Sequence, residues 1–131
     1  MMSRPRLLLI DDEPALAQYV ASAARECGYT PIIARSEPEF RAEFIEVRPD
    51  MVTLDLGMPE ADGVQFLRFL AEQQFTGPVL IISGFDRRVL ESAFRLGEAL
   101  GLRMVGPLEK PTRLEDLEEL LGGMKPSLAG S

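Results

Sequence analysis

Five short apolar runs alternate with five amphipathic runs along the 131-residue chain, and this alternation constrains the fold more than any other feature. The apolar runs have the length of buried strands and lack the 3.6-residue period of a surface helix. They cover residues 7–10, 30–34, 51–54, 79–82 and 103–108. Strands that alternate strictly with helices form a parallel sheet with helices on both faces, because the crossover connections are right-handed. The sequence therefore predicts an α/β fold with a doubly wound five-stranded parallel sheet and five helices.

Helix boundary signals support the assignment of the amphipathic runs. The predicted helices cover residues 15–27, 36–47, 64–74, 86–100 and 112–121. Ser36 with Glu39, and Thr112 with Glu115, have the three-residue spacing of a capping box. Pro107 in the fifth apolar run indicates an edge strand, because proline cannot donate a ladder hydrogen bond. Residues 122–131 are rich in Gly, Pro and Ser, which predicts a mobile tail or linker after one domain of residues 1–121.

Composition argues against several classes of function. A net charge of −7 disfavours a general nucleic-acid binder, which needs clustered Lys and Arg side chains. The chain has no histidine, which excludes histidine acid–base catalysis and histidine metal sites. The single cysteine, Cys27, excludes an intrachain disulfide and favours a reducing, cytoplasmic compartment with the thiol in the core. No apolar run has the length that a membrane span needs, so no membrane association is expected.

Polar side chains follow four of the five predicted strands. They are Asp11, Asp12 and Glu13 after the first strand, Asp55 after the third, Ser83 after the fourth and Lys110 after the fifth. The carboxyl ends of parallel strands lie at one edge of the sheet, so these residues are expected to meet there. Three clustered aspartates need more positive charge than one lysine supplies. In a chain without histidine this predicts a hard divalent cation such as Mg²⁺.

Each of these residues also has an ordinary structural explanation. Asp12 or Glu13 could cap the first helix, and Glu13 with Pro14 reads as the start of that helix. Asp55 alone could form an Asx turn, Ser83 alone could be a loop hydroxyl, and Lys110 alone could be a solvated charge. Their joint occurrence at four strand ends favours a shared site.

Four stretches in order, "LLLIDDEP", "TLDLGMPEADG", "LIISG" and "LEKP", resemble the receiver domain of bacterial two-component response regulators. The resemblance runs from residue 7 to about residue 121. It implies a flavodoxin-like sheet with the strand order 2-1-3-4-5. It also implies a phosphoacceptor signalling switch of a phosphorelay, rather than an enzyme with an external substrate, and its only catalysis would be self-catalysed phosphotransfer and autodephosphorylation.

The resemblance assigns roles to the strand-end residues. Asp55 is the expected phosphoacceptor, and its partner is a histidine kinase or a histidine phosphotransfer protein. Mg²⁺ is expected to bind Asp11, Asp12, Asp55 and the backbone carbonyl of Gly57. Lys110 and Ser83 are expected to contact the phosphoryl oxygens, and the movement of Ser83 is expected to switch the domain.

One position departs from the family pattern. Many receivers carry Tyr or Phe three residues before the lysine, where this chain has Pro107. A proline has no ring that can turn inward, so the coupling to a downstream output domain or protein is expected to differ from the usual one. The leucine-rich last helix and acidic surface also allow a homodimer.

Two other functions are compatible with parts of the sequence. A degenerate receiver could serve only as a protein-interaction scaffold, which Pro107 favours and the intact strand-end residues disfavour. A Mg²⁺-dependent phosphohydrolase of the haloacid dehalogenase type also forms an aspartyl phosphate. That family needs a D-x-D motif with its nucleophile on the first strand, whereas the first strand here ends in D-D-E and Asp55 is followed by Leu56 and Gly57.

Overall fold

The computed structural model describes residues 4–11, 13–55, 63–84, 87–110 and 112–129, with residues 63 and 125–129 described by their backbone alone. These residues alternate strands and helices as the sequence predicts. The elements are β1 (Arg6–Ile10), α1 (Pro14–Glu26), β2 (Thr30–Ala34), α2 (Glu37–Val47), β3 (Met51–Asp55), α3 (Gly63–Glu72), β4 (Pro78–Ser83), α4 (Arg87–Ala99), β5 (Arg103–Glu109) and α5 (Leu114–Ala129). All strand pairs are parallel, and the order β2-β1-β3-β4-β5 confirms the predicted sheet.

The two faces of the sheet bury two separate apolar layers. Along β1, Leu7 and Leu9 pack in the layer beneath α1 and α5, whereas Leu8 and Ile10 pack in the layer beneath α2 and α3. This division follows from the two-residue period of a strand, whose successive side chains point to opposite faces. Both faces are covered, which is why the central strands are continuously apolar.

The helix starts agree with the sequence signals in part. The Ser36 hydroxyl accepts a hydrogen bond from the Glu39 N–H at 3.3 Å, which confirms Ser36 as the N-cap of α2. The second capping box is wrong by one residue, because the Leu117 N–H donates to the Arg113 carbonyl and Arg113 therefore precedes the first turn of α5. Asp86, the predicted cap of α4, lies outside the described residues.

The last helix is longer than predicted. The prediction of a non-helical segment from residue 122 is wrong for residues 122–129, since α5 continues to Ala129. Leu121 is fully buried and Met124 packs against the same apolar layer, so tertiary contacts offset the low helix propensity of the intervening glycines. The domain boundary at residue 121 and the mobility of the tail stay predictions.

A β-bulge shapes the edge strand β5. Leu80 pairs with Val105 and Ile82 pairs with Leu108, so β5 contains one more residue than β4 across this interval. The extra residue lets Val105 and Leu108 pack into the same apolar layer although they lie three positions apart. Pro107 lies in the bulge of an edge strand, as predicted, where its missing N–H is tolerated.

Two further features concern the remaining predictions. Cys27 is half-buried at the C-cap of α1, so it contributes to the core less than predicted, and its Sγ lies 3.5 Å from the Glu118 carbonyl. Among the described residues, no helix is both long enough and apolar enough to cross a membrane.

Candidate functional site

Two buried carboxylates lie side by side at the carboxyl end of the sheet. Asp11 and Asp55 are each only 4% exposed. Ile10 pairs with Leu54 across β1 and β3, so the two aspartates, each one residue further on, occupy adjacent positions. The alternation along both strands directs them to the α1 and α5 face.

Lys110 supplies a positive charge to both carboxylates. Its Nζ lies 2.9 Å from Asp55 Oδ2 and 3.9 Å from Asp11 Oδ2. The backbone N–H of Lys110 also donates to the Ser83 carbonyl at 2.8 Å, and this bond connects the end of β5 to the end of β4. A Cβ at Gly84 would lie 3.5 Å from Lys110 Cβ and Cδ, so the glycine leaves room for the lysine stem.

Ser83 is fully buried at the end of β4. Asp55 pairs with Ile82 across β3 and β4, which puts Ser83 one residue beyond the level of Asp55. The predicted hydroxyl-bearing residue is therefore on the strand next to the predicted phosphoacceptor.

Burial makes the charge of Asp11 costly. The pKa of Asp11 is raised to about 6, chiefly by burial and to a smaller extent by the negative charge of Asp55 and a carboxyl–carboxyl hydrogen bond to it. The Glu13 N–H, which donates to Asp11 Oδ1 at 2.9 Å, and the Lys110 ammonium act in the opposite direction. The raised pKa indicates that burial, reinforced by the neighbouring Asp55, makes the ionised form of Asp11 costly in the metal-free protein.

The donor set fits a hard cation as far as it is described. Asp11 and Asp55 present adjacent oxygen ligands, the type that Mg²⁺ prefers. Asp12 and Gly57, the other two predicted ligands, lie outside the described residues. Within the described ranges there is no group of three His, Cys, Asp or Glu residues that could hold a metal ion.

Comparison with known families identifies the chain. The family model of the response regulator receiver domain matches residues 7–122. The chain belongs to this family. Receiver domains act as phosphoacceptor modules in two-component signalling, so the resemblance inferred from the four sequence stretches is confirmed.

Similar proteins contain the receiver domain as part of a longer chain. The present chain is 34% identical to the transcriptional regulatory protein TrcR of Mycobacterium tuberculosis, over 91% of this chain and 44% of that protein. It is 30% identical to a protein-glutamate methylesterase/protein-glutamine glutaminase of Carboxydothermus hydrogenoformans, over 84% of this chain and 30% of that protein. The receiver domain thus spans less than half the length of either relative.

Solved structures support the same fold. The signal receiver domain of an HD domain-containing protein from Pseudomonas fluorescens Pf-5 superposes with a TM-score of 0.81. The superposition covers 98% of this chain and 99% of that chain at 21% identity. The high structural similarity at a low identity shows that the two chains share the fold.

A groove opens beside Lys110 in this receiver domain. It has a volume of about 570 Å³, and its walls come from α1 and from the segments after β4 and β5. Its lining residues are Glu13, Leu16, Tyr19, Gly84, Lys110 and Thr112. The groove therefore combines apolar side chains of α1 with the cationic end of the site.

Two contacts at the site are missing from the sequence predictions. The Tyr19 hydroxyl donates to the Thr112 carbonyl at 3.0 Å, and Arg87 Nε donates to Glu109 Oε1 at 2.8 Å. In the sequence, Arg87 reads only as a charge at the start of a helix, and Tyr19 as part of an apolar stripe. Neither residue type carries a sequence signal for a partner so distant in the chain.

Proposed function

We propose that this receiver domain accepts a phosphoryl group on Asp55 from a histidine kinase or a histidine phosphotransfer protein. The observation that carries the proposal is the buried Asp55–Lys110 pair, 2.9 Å apart, with Asp11 beside it. Acyl phosphate formation needs a nucleophilic carboxylate, an ammonium that can pair with the transferred phosphoryl group, and a second carboxylate that binds a metal ion.

The proposed transfer makes one bond and breaks one. An Asp55 carboxylate oxygen attacks phosphorus as the bond from phosphorus to the donor imidazole nitrogen breaks, and the electron pair of that bond stays on the imidazole. Lys110 shifts its hydrogen bond from the carboxylate to a phosphoryl oxygen. Ser83, on the neighbouring strand, donates its hydroxyl to another phosphoryl oxygen and draws its loop inward.

Mg²⁺ is the proposed cofactor, held by Asp11, Asp12, Asp55 and the Gly57 carbonyl. When bound, the cation offsets negative charge on the phosphoryl oxygens and on the carboxylates. The chain's own contribution is to hold Asp11 and Asp55 buried and adjacent, with the Glu13 N–H fixing one oxygen of Asp11. The raised pKa of Asp11 supports this proposal, since a bound cation would stabilise the ionised form of a buried carboxylate that is costly without it.

The groove beside Lys110 is the proposed docking surface for the phosphodonor. A donor histidine must approach Asp55 from the open side of the sheet edge, and Leu16 and Tyr19 border that approach with apolar surface. Apolar surface next to a charged centre suits a helical partner that carries its histidine on an amphipathic face. A downstream output domain or protein would bind elsewhere, and a homodimer is compatible with this arrangement.

The proposed output coupling differs from the aromatic type. Pro107 lies in the β5 bulge and has no side chain that could rotate between two positions. We therefore assign transmission to the backbone segment that carries Lys110 rather than to a ring three residues before it. Residues 1–121 are the proposed receiver unit, and residues 122–131 are proposed as its connection to an output domain or protein.

The test is phosphorylation by acetyl phosphate in the presence of Mg²⁺, followed by intact-protein mass spectrometry. Asp55→Asn should abolish the gain of one phosphoryl group. Asp50→Asn is the matched control, because Asp50 is exposed and directly precedes β3, at the other end from Asp55. It should be phosphorylated like the unmodified protein.

Other outcomes would replace the proposal. A protein that takes up neither the phosphoryl group nor beryllofluoride, which stands in for it, would be the interaction scaffold. Continuous release of phosphate from small organic phosphates would indicate the phosphohydrolase. Phosphorylation that persists in Asp55→Asn would mean that another residue is the acceptor.

A further inference from the structure

The short turn that carries Lys110 is held on three sides. The Lys110 N–H donates to the Ser83 carbonyl at 2.8 Å, which ties the turn to β4. The Thr112 hydroxyl donates to the Glu109 carbonyl at 3.0 Å, which closes the turn on itself. The Tyr19 hydroxyl donates to the Thr112 carbonyl at 3.0 Å, which ties the turn to α1. The first restraint is a bond between backbone groups, whereas the second comes from the Thr112 hydroxyl and the third from the Tyr19 phenol.

The position of the turn matters because of the side chain it carries. A lysine ammonium sits on a flexible four-carbon stem and has no planar fork to fix its direction. The position of Lys110 Nζ, 2.9 Å from Asp55, therefore depends on where the backbone of Glu109, Lys110 and Thr112 is held. Tyr19 is half-buried and shares the groove wall with Lys110 and Thr112, so it touches the turn without touching either aspartate in the described contacts.

We propose that Tyr19 is a positioning residue, which fixes the Lys110 turn so that the ammonium meets the phosphoryl group on Asp55. The inference rests on the proposed function, because it concerns the same site. It adds a residue on α1 to the machinery and makes the α1 face of the groove part of the phosphorylation switch. A partner that contacts Tyr19 would then influence the strength of phosphoryl capture directly.

A second tyrosine provides a matched control. The Tyr29 hydroxyl donates to the Leu121 carbonyl at 2.7 Å, so it also joins the α1 side of the domain to α5. Tyr29 is fully buried, and its contact lies in the third turn of α5 rather than at the Lys110 turn. The substitutions Tyr19→Phe and Tyr29→Phe therefore remove the same chemical group and the same type of hydrogen bond at two different places.

The experiment measures beryllofluoride affinity at saturating Mg²⁺, Mg²⁺ affinity alone and the unfolding temperature for each variant. Tyr19→Phe should weaken beryllofluoride binding by roughly threefold to tenfold, the effect of one net hydrogen bond. Its Mg²⁺ affinity should not fall in parallel, because Asp11 and Asp55 are positioned by the ends of β1 and β3 rather than by the turn. Tyr29→Phe should lower the unfolding temperature more than Tyr19→Phe does and leave beryllofluoride affinity unchanged.

A local measurement complements the affinities. Hydrogen exchange at the Lys110 amide, which donates to Ser83, should become faster in Tyr19→Phe and stay the same in Tyr29→Phe.

Equal beryllofluoride affinities for Tyr19→Phe and the unmodified protein would overturn the inference. An equal loss of beryllofluoride affinity in both tyrosine variants would also overturn it, as would a parallel loss of Mg²⁺ and beryllofluoride affinity in Tyr19→Phe. Both results would indicate a general loss of stability rather than a local effect on the Lys110 turn. If the unmodified protein failed to bind beryllofluoride, the proposed function would fail first, which keeps the two failures distinguishable.

Discussion

The Lys110 ammonium lies 2.9 Å from Asp55 Oδ2, and the lysine side chain is only 18% exposed, so the two groups form a largely buried ion pair. The same ammonium is 3.9 Å from Asp11 Oδ2. One cation thus serves two acids that come from different strands. The stability of the metal-free domain and its capacity for phosphoryl chemistry both depend on this arrangement.

Removal of the ammonium should destabilise the domain. Lys110→Met removes the ammonium that offsets the buried Asp55 charge, and the expected loss in the free energy of unfolding is about 3 kcal/mol at neutral pH. Denaturant unfolding in the presence of a chelator measures this loss. Arg113→Met is the control, because Arg113 and Glu115 form an ion pair at 3.6 Å with side chains 76% and 83% exposed. Its effect should stay within about 0.5 kcal/mol, and a similarly small effect at Lys110 would contradict the importance of the buried pair.

The metal-free domain should become more stable as the pH falls from 7 towards 5. The pKa of Asp11 is about 6 in the folded protein against an ordinary value of 3.8, so the folded state binds more protons than the unfolded state between these values. Stability that is present at low pH is then lost as the pH rises through the folded-state pKa. Thermal unfolding across this range in the presence of a chelator measures the slope.

The variant Asp11→Asn isolates the contribution of that carboxyl group. It should flatten the pH dependence and raise the unfolding temperature at pH 7.5, because the amide keeps the acceptor for the Glu13 N–H without the charge. Glu46→Gln removes an exposed carboxylate of α2 and should retain the original slope. An unchanged slope in Asp11→Asn would assign the pH dependence to other groups.

Thr53→Val should stabilise the protein by about 1 kcal/mol. The Thr53 hydroxyl is buried in β3 between Leu9 and Leu80, and no hydrogen-bond partner is found for it among the described residues. Valine has the same shape and β-branching without a polar group to desolvate. Chemical denaturation measures the difference, with Thr30→Val on exposed surface of β2 as the control. A loss of stability in Thr53→Val would mean that the hydroxyl is satisfied.

Two helical glycines should respond to alanine in opposite directions. A Cβ at Gly97 of α4 would overlap the Met104 side chain of β5, so Gly97→Ala should cost roughly 1–3 kcal/mol. A Cβ at Gly122 of α5 would meet no atom within 4 Å, so Gly122→Ala should stabilise by about 0.5–1 kcal/mol through helix propensity. Unfolding midpoints measure both changes. The added substitution Met104→Val should restore part of the loss at Gly97, and no such rescue would exclude the overlap as its cause.

Much of the fold was predictable because it depends on local patterns. Apolar runs of strand length between amphipathic runs predicted five strands, and the observed ends differ by at most one or two residues. The strand order required the resemblance to a known family, since alternation alone is compatible with several orders. The error at α5 arose because Gly122 and Gly123 disfavour a helix locally, whereas burial of Leu121 and Met124 favours it through contacts with distant residues.

Local sequence patterns were enough to place Asp11, Asp55, Ser83 and Lys110 at the edge of the sheet, because each of them follows or ends a strand in a parallel sheet. How their side chains meet depends on contacts between distant segments. The β5 bulge sets the direction in which β5 delivers Lys110, and a bulge depends on pairing with β4 rather than on local spacing. The raised pKa of Asp11 and the Tyr19 contact to Thr112 likewise depend on burial and on distances between segments far apart in the chain. Such quantities exist only once the helices have packed on the sheet and excluded water from its carboxyl edge.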